Sequence, residues 1–288
     1  MATTVCLIRQ NPALFYFANE LHRRSPLALV ILEARAQSAL SCRWRRLFGG
    51  AGGPAGIDPF RLPRKRVPAA QAAECQRFFG DAWRVLDPSI PLLVVPDINS
   101  PVVRERLAAL RPEVVIDHGT SIVRDEVLAA VPLALNVHWG LSPYYRGTHC
   151  TEWALLNWDP LNIGVTLHRL TRDIDGGGVV AQARAEIAPH DTVHSINMQL
   201  THLGTRLAAK AIEQVAARRS LKFHSQDHSQ GILTLNRQWS RPLGRQIRYL
   251  ERRGLIAKML KHPARKARLP IVEPAGFVAT PATGSVAA

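Results

Sequence analysis

The chain has 288 residues, 47% of them hydrophobic, and a formal net charge of +15, enough apolar length to pack one large α/β domain with a small appendage and too much for a wholly disordered chain. Its longest apolar stretches, such as 27–32 and 91–95, fall well short of the ~20 residues that span a bilayer, so no membrane span is expected. Cys6, Cys42, Cys75 and Cys150 are scattered without a CxxC or Cys/His cluster, which argues against a zinc site or disulfide framework and for free thiols in a reducing compartment.

The first nine residues read as a short β-branched strand with neither a basic leader nor an apolar signal core, so a cytoplasmic location is expected. Residues 4–8 form the strand; 12–24 suit a helix, with Pro12 in its first turn and Ala13, Phe17 and Leu21 on one face; 27–32 read as a second strand. No Gly-rich loop follows the first strand, so the dinucleotide fingerprint is absent. Residues 35–68 interrupt the rhythm with Gly49-Gly50, Gly52-Gly53 and basic clusters at 43–46 and 64–66, the pattern of a surface insertion.

The alternation resumes with a helix over 69–83, a strand at 92–95, a helix over 102–110, a strand at 114–116, a helix over 125–130 and a strand at 133–138. A Pro/Tyr/Gly loop leads to a helix over 151–157, a strand at 164–170 and a hairpin-like return over 179–187. Asp191 is then expected to cap a helix reaching about residue 219. The rhythm predicts a Rossmann-like, three-layer α/β fold with a mostly parallel sheet: a catalytic domain over 1–223 and a basic appendage over 224–288. In the appendage a basic helix is expected near 246–260 and disorder from about 270, where Pro, Ala, Gly and Thr dominate. From Arg218 onward fourteen Lys/Arg face only Asp227, Glu251 and Glu273, leaving open a solvated tail or an anion-binding surface.

The segment Leu135-Asn136-Val137-His138 closes an apolar strand, and the period of two puts Asn136 and His138 on one face. In an open α/β sheet that C-terminal edge is where ligands bind, although an Asn and a His there can also simply bond loop backbone. The wider pattern is Asn136-Val-His138-Trp-Gly-Leu-Ser-Pro143-Tyr-Tyr-Arg146-Gly147, then Gly164-Val-Thr166-Leu-His168, then Asp173-Ile-Asp175-Gly-Gly177. Together these resemble the folate-dependent formyltransferase family over roughly 92–207, with motifs in family order and at family-like spacing.

The resemblance implies transfer of a formyl group from 10-formyltetrahydrofolate to a primary amine by direct attack, which creates a tetrahedral oxyanion and must release a proton. Asn136 supplies amide donors of the kind whose loss typically costs ~3 kcal/mol of barrier. His138 stabilises the oxyanion as imidazolium and shares in proton transfer, and Asp175 orients it. The carrier is expected between Gly119, Thr120, Ser121 and Ile122 on one side and Asp173 and Ile174 on the other. On the residues alone, Asp173 reads rather as a turn or cap carboxylate, and His168 as a packed or supporting histidine.

The loop reads His138-Trp-Gly-Leu-Ser-Pro143 rather than the family's common His-Pro-Ser-Leu-Leu-Pro, a change that bears on the acceptor. Tyr144, Tyr145 and Arg146 are the candidate acceptor-binding residues, for a base or phosphate or as loop packing. Arg9-Gln-Asn-Pro12 cannot form the phosphate cradle of the purine-pathway relatives, and the tail resembles no tRNA-binding β-barrel, which disfavours both acceptors. The acceptor then expected is a nucleotide-linked amino sugar. The alternatives are an aminoacyl-tRNA or other amine, or a basic nucleic-acid-binding module that has lost catalysis.

Overall fold

A computed structural model describes residues 2–34, 67–261 and 267–273. The expected insertion at 35–68, except Val67 and Pro68, and the tail from 274 lie outside the described residues. The elements, in order, begin with β1 (Thr4–Arg9), α1 (Pro12–Arg24) and β2 (Leu29–Glu33). α1 starts where Asn11, in extended conformation, accepts the N–H of Ala13 and Pro12 occupies the first helical position, where its missing N–H costs nothing. Then come α2 (Ala69–Phe79), β3 (Leu92–Val95), α3 (Pro101–Leu110), β4 (Val114–His118), α4 (Asp125–Leu128) and β5 (Ala134–His138). α2 ends four residues before the expected Trp83 because Gly80 enters the left-handed region at φ 57°.

After β5 follow β6 (Tyr145–Gly147), α5 (Cys150–Leu156), β7 (Gly164–Arg169), β8 (Val179–Arg184), α6 (Val193–Ala216), β9 (Ile232–Thr234), α7 (Arg241–Arg252) and α8 (Leu255–Lys261). Asp191 is not the cap of α6. Thr192 is, in a reciprocal box with Ser195, and Asp191 sits one residue earlier, accepting the Ser195 hydroxyl at 2.7 Å. The single basic helix expected near 246–260 is two, α7 and α8, broken at Gly254 with φ 72°.

The main sheet has the order β3-β2-β1-β4-β5-β7-β8. Its first five strands are parallel, and β7 and β8 return antiparallel. Phe15, Phe17, Leu135, Val137 and Leu207 belong to one apolar layer, and Val5, Leu7, Ile31, Val103, Leu107 and Val127 to the other. Each such side chain, fully buried, contributes roughly 1.5–3 kcal/mol. α6 lies so close over β5 that a Cβ on Gly204 would fall 2.5 Å from Val137 Cγ1, so a larger residue there would push the helix off the sheet.

Strand order reverses between β1 and β4, the switch point at which open α/β sheets leave a crevice. Register fixes what lines it. Asp117 pairs with Asn136 and Asn136 with His168, while His138 pairs with Thr166. Paired residues on neighbouring strands share a face, so Asp117, Asn136 and His168 form one row and His138 and Thr166 the next. At the far edge, residues 267–273 run beside β8: the Gln182 N–H donates to Val272 O at 2.7 Å, and Val272 N–H to Gln182 Oε1 at 3.0 Å. Residues 270–273, read from composition as the start of a disordered tail, are thus held on an edge strand that would otherwise expose unpaired backbone.

Candidate active site

Asn136 and His138 end β5, and Asp175 reaches them from the β7–β8 turn. Asp175 Oδ2 lies 3.3 Å from His138 Nδ1, and its Oδ1 lies 3.4 Å from His168 Nε2. Gly147 N–H donates to Oδ2 at 2.7 Å, and His138 Nε2 faces the Tyr145 carbonyl at 3.0 Å. Both ring nitrogens of His138 therefore meet oxygen atoms, an environment that gives each N–H of the imidazolium a partner.

Asp175 adopts φ 49°, a left-handed conformation unfavourable for a side-chain residue. Gln226 holds it there, its amide donating to the carbonyls of Asp175 at 2.9 Å and Gly177 at 2.6 Å. Two glycines make room: a Cβ on Gly177 would fall 2.0 Å from the Arg169 carbonyl oxygen, and one on Gly140 would fall 2.3 Å from His138 Nε2.

Burial pushes the Asp175 carboxyl upward, but the charge of His138, the His168 ring and the Gly147 N–H outweigh it and hold the pKa at about 2. Burial lowers the pKa of His138, opposed by Asp175 and reinforced by His168. The pair is thus an ionised carboxylate beside an imidazole that is mostly neutral at pH 7 to 8, ready to accept a proton.

The Asn136 side holds a group that reading the motifs missed. The Asn136 amide donates to Asp117 Oδ2, and the Thr120 hydroxyl donates to Asp117 Oδ1 at 2.5 Å. Asp117 is 3% exposed, and Glu33, 1% exposed, lies behind it, accepting the Ser121 N–H at 2.8 Å. Burial, reinforced by Glu33, drives the Asp117 pKa to about 7 against the two hydrogen bonds. Next along β4, His118 is buried edge-on between Phe17 and Trp139, neither ring nitrogen has a partner, and burial pushes its pKa to about 3.

The two loops expected to hold the carrier both emerge at this edge. Gly119 turns at φ 73°, Thr120 and Ser121 are tied to Asp117 and Glu33, and Ile122 is 61% exposed. Asp173 is exposed and Ile174 half-buried, and Arg172 reaches within 3.8 Å of Asp125 just beyond the first loop. Tyr144, Tyr145 and Arg146 are not brought to the surface of the site. Tyr144 OH donates to the Pro270 carbonyl at 3.1 Å, Tyr145 OH to Asp159 at 2.8 Å, and all three side chains are buried.

Residues 97–212 match the family model described as Formyl transferase. A candidate sugar N-formyltransferase from Mycobacterium tuberculosis shares the fold with a TM-score of 0.50 at 18% identity, over 83% of this chain and 77% of that one. An N-formyltransferase from Helicobacter canadensis, solved with folinic acid and dTDP-3-aminofucose, has a TM-score of 0.52 at 14% identity over 83% and 72%. WlaRD, a sugar 3N-formyl transferase solved with dTDP and 5-N-formyl-THF, has a TM-score of 0.51 at 15% over the same shares. Asn136, His138 and Asp175 all fall inside the segment that matches the Formyl transferase model.

Proposed function

We propose that this enzyme transfers a formyl group from 10-formyltetrahydrofolate to the primary amine of a nucleotide-linked amino sugar, with Asn136, His138 and Asp175 as its catalytic residues. The observation that carries this reading is the Asp175 carboxylate between His138 and His168, with Asn136 on the same face of β5. The carrier, when bound, supplies an activated formyl group. The loops at 119–122 and 171–174 suit a flat heteroaromatic ring: Ile122 offers exposed apolar surface, and Asn136 lies beside them with hydrogen-bonding groups.

Attack by an amine on a formyl carbon moves negative charge onto oxygen and leaves a proton on nitrogen. Asn136 has a second amide N–H beyond the one given to Asp117, and that donor faces the developing charge. His138, neutral at pH 7 to 8, takes the proton, and ionised Asp175 stabilises the resulting imidazolium. Gly147 and His168 keep that carboxylate in place. The buried thiols of Cys6, Cys75 and Cys150 support a reducing, cytoplasmic setting.

The reading is tested by melting the protein with 5-formyltetrahydrofolate and then following formyl transfer from 10-formyltetrahydrofolate to a panel of dTDP- and UDP-linked amino sugars. A raised midpoint, and turnover lost in His138→Ala while the midpoint shift persists, are expected. A folded sample that neither responds to the folate nor formylates any amine overturns the reading.

A further inference from the structure

Beyond the catalytic pair, α7 carries a concentrated charge feature on the described surface. Arg241, Arg245, Arg248 and Arg252 recur at i, i+4, i+7 and i+11 along α7, which places them on one side of the helix. All are exposed, and among the described residues none has a carboxylate within ion-pair distance. The flank next to them is pinned: Gly244 and Ile247 are buried, and Glu251 accepts the Val193 N–H at 2.7 Å. A face fixed in this way presents unpaired guanidinium groups without first having to order them.

Arg241, Arg245 and Arg248 also line an open concavity of about 510 Å³ together with Trp239, Ser240 and Gly244. Its floor is Gly244, where an added Cβ would lie 3.5 Å from Arg248 Nη1 and 3.7 Å from Trp239 Nε1. The lining supplies guanidinium and indole N–H donors with no carboxylate among them. That donor set matches a compact polyanion carrying two or three charges.

The concavity is tied to the catalytic loop. Trp239 stacks on His149 with ring centroids 4.4 Å apart. The next residue, Cys150, places its Sγ 3.6 Å from His138 Nε2. β9, just before Trp239, pairs with β6, whose Gly147 holds Asp175.

Resting on the acceptor reading above, we propose that this concavity holds the diphosphate of the nucleotide-linked acceptor, with Arg241, Arg245 and Arg248 on the phosphoryl oxygens. Arg252 lies beyond the concavity and contributes only at a distance. The site therefore selects for a nucleoside diphosphate over an unphosphorylated sugar amine.

Calorimetric titration of the full chain with dTDP and with inorganic pyrophosphate, each at two salt concentrations, tests this, with 5-formyltetrahydrofolate titrated separately. Both anions are expected to bind wild type. The exposed double substitution Arg245→Ala/Arg248→Ala is expected to weaken them tenfold or more, with melting temperature and folate binding unchanged. Equal affinity in the double variant, or no affinity of wild type for either anion, overturns the proposal. So does an RNA oligonucleotide that binds in place of dTDP and is lost in the same variant, because the face would then track a nucleic-acid backbone. Binding of dTDP without folate binding would remove the formyl-transfer reading and leave the arginine site standing.

Discussion

Replacing Asp117 with Asn separates the two things that this buried carboxyl does. Its pKa stands at about 7 in the folded protein against an ordinary 3.8, and each pKa unit is worth 1.36 kcal/mol, so its ionisation costs the native state roughly 4 kcal/mol at high pH. The sign follows from proton binding: between pH 3.8 and about 7 the folded state holds a proton that the unfolded chain has released, so stability falls as pH rises through that window. Asn removes this cost. It also offers one acceptor oxygen where Asp117 receives both Asn136 and Thr120, and an unmet buried donor costs about 1–3 kcal/mol at any pH. Asp117→Asn is therefore expected to be less stable than wild type near pH 3.5 and more stable near pH 8.5, by roughly 1–3 kcal/mol at each end. Urea unfolding followed by tryptophan fluorescence at the two pH values reads this directly. Parallel pH–stability curves for the two proteins would refute the reasoning. Turnover at pH 8 is expected to fall by about tenfold or more in the variant, because Asn136 loses the partner that orients its amide.

Two further substitutions probe the His138 side. Gly140→Ala puts a methyl 2.3 Å from His138 Nε2 and 2.5 Å from the Tyr145 carbonyl; the ring must move, and kcat is expected to drop about a hundredfold while folate-induced stabilisation persists, a split measured by pairing turnover with melting. Asp175→Asn removes a carboxylate held at about 2, so its stability contribution, present above about 3.8 and lost as pH falls through about 2, should disappear; urea unfolding at pH 7 is expected to show a loss of about 2 kcal/mol. The same change withdraws the charge that supports imidazolium, so the acid limb of the pH–rate profile should move to lower pH.

The parallel half of the fold is legible because its strands are continuous apolar runs separated by helical periodicity, and buried parallel strands leave few other readings. Asn136 and His138 are legible for a related reason: they are polar interruptions at the end of such a run. The same signal stands at Asp117-His118, which end β4 just as abruptly, but no short motif marks them. Their significance depends on the Asp117–Asn136 register, which only pairing reveals. Tyr144 and Tyr145 show the converse: their loop leaves binding and packing both open in the sequence. An aromatic pair in a polar loop suggests a binding surface, yet the fates of their hydroxyls are set by Pro270 and Asp159, contacts that span 126 and 14 residues.

The proposed catalytic geometry also depends on chain far from its motifs. Asp175 sits in a turn that would relax from its left-handed conformation if left alone, and Gln226, 51 residues later, bonds its carbonyl. β9 then pairs with β6, and Thr234 closes on Gly147 so tightly that a Cβ there would fall 1.9 Å from the Thr234 carbonyl oxygen. Since Gly147 donates to the Asp175 carboxylate, that bond and the hold on the Asp175 backbone both depend on residues beyond 223. The segment that leaves the α/β sheet thus serves the site twice: it holds the Asp175 turn, and through Trp239 and α7 it carries the cationic concavity to the same loop. Residues that differ between relatives with different acceptors are therefore expected to concentrate in this segment, where a change in acceptor recognition can occur without disturbing the row formed by Asp117, Asn136 and His168.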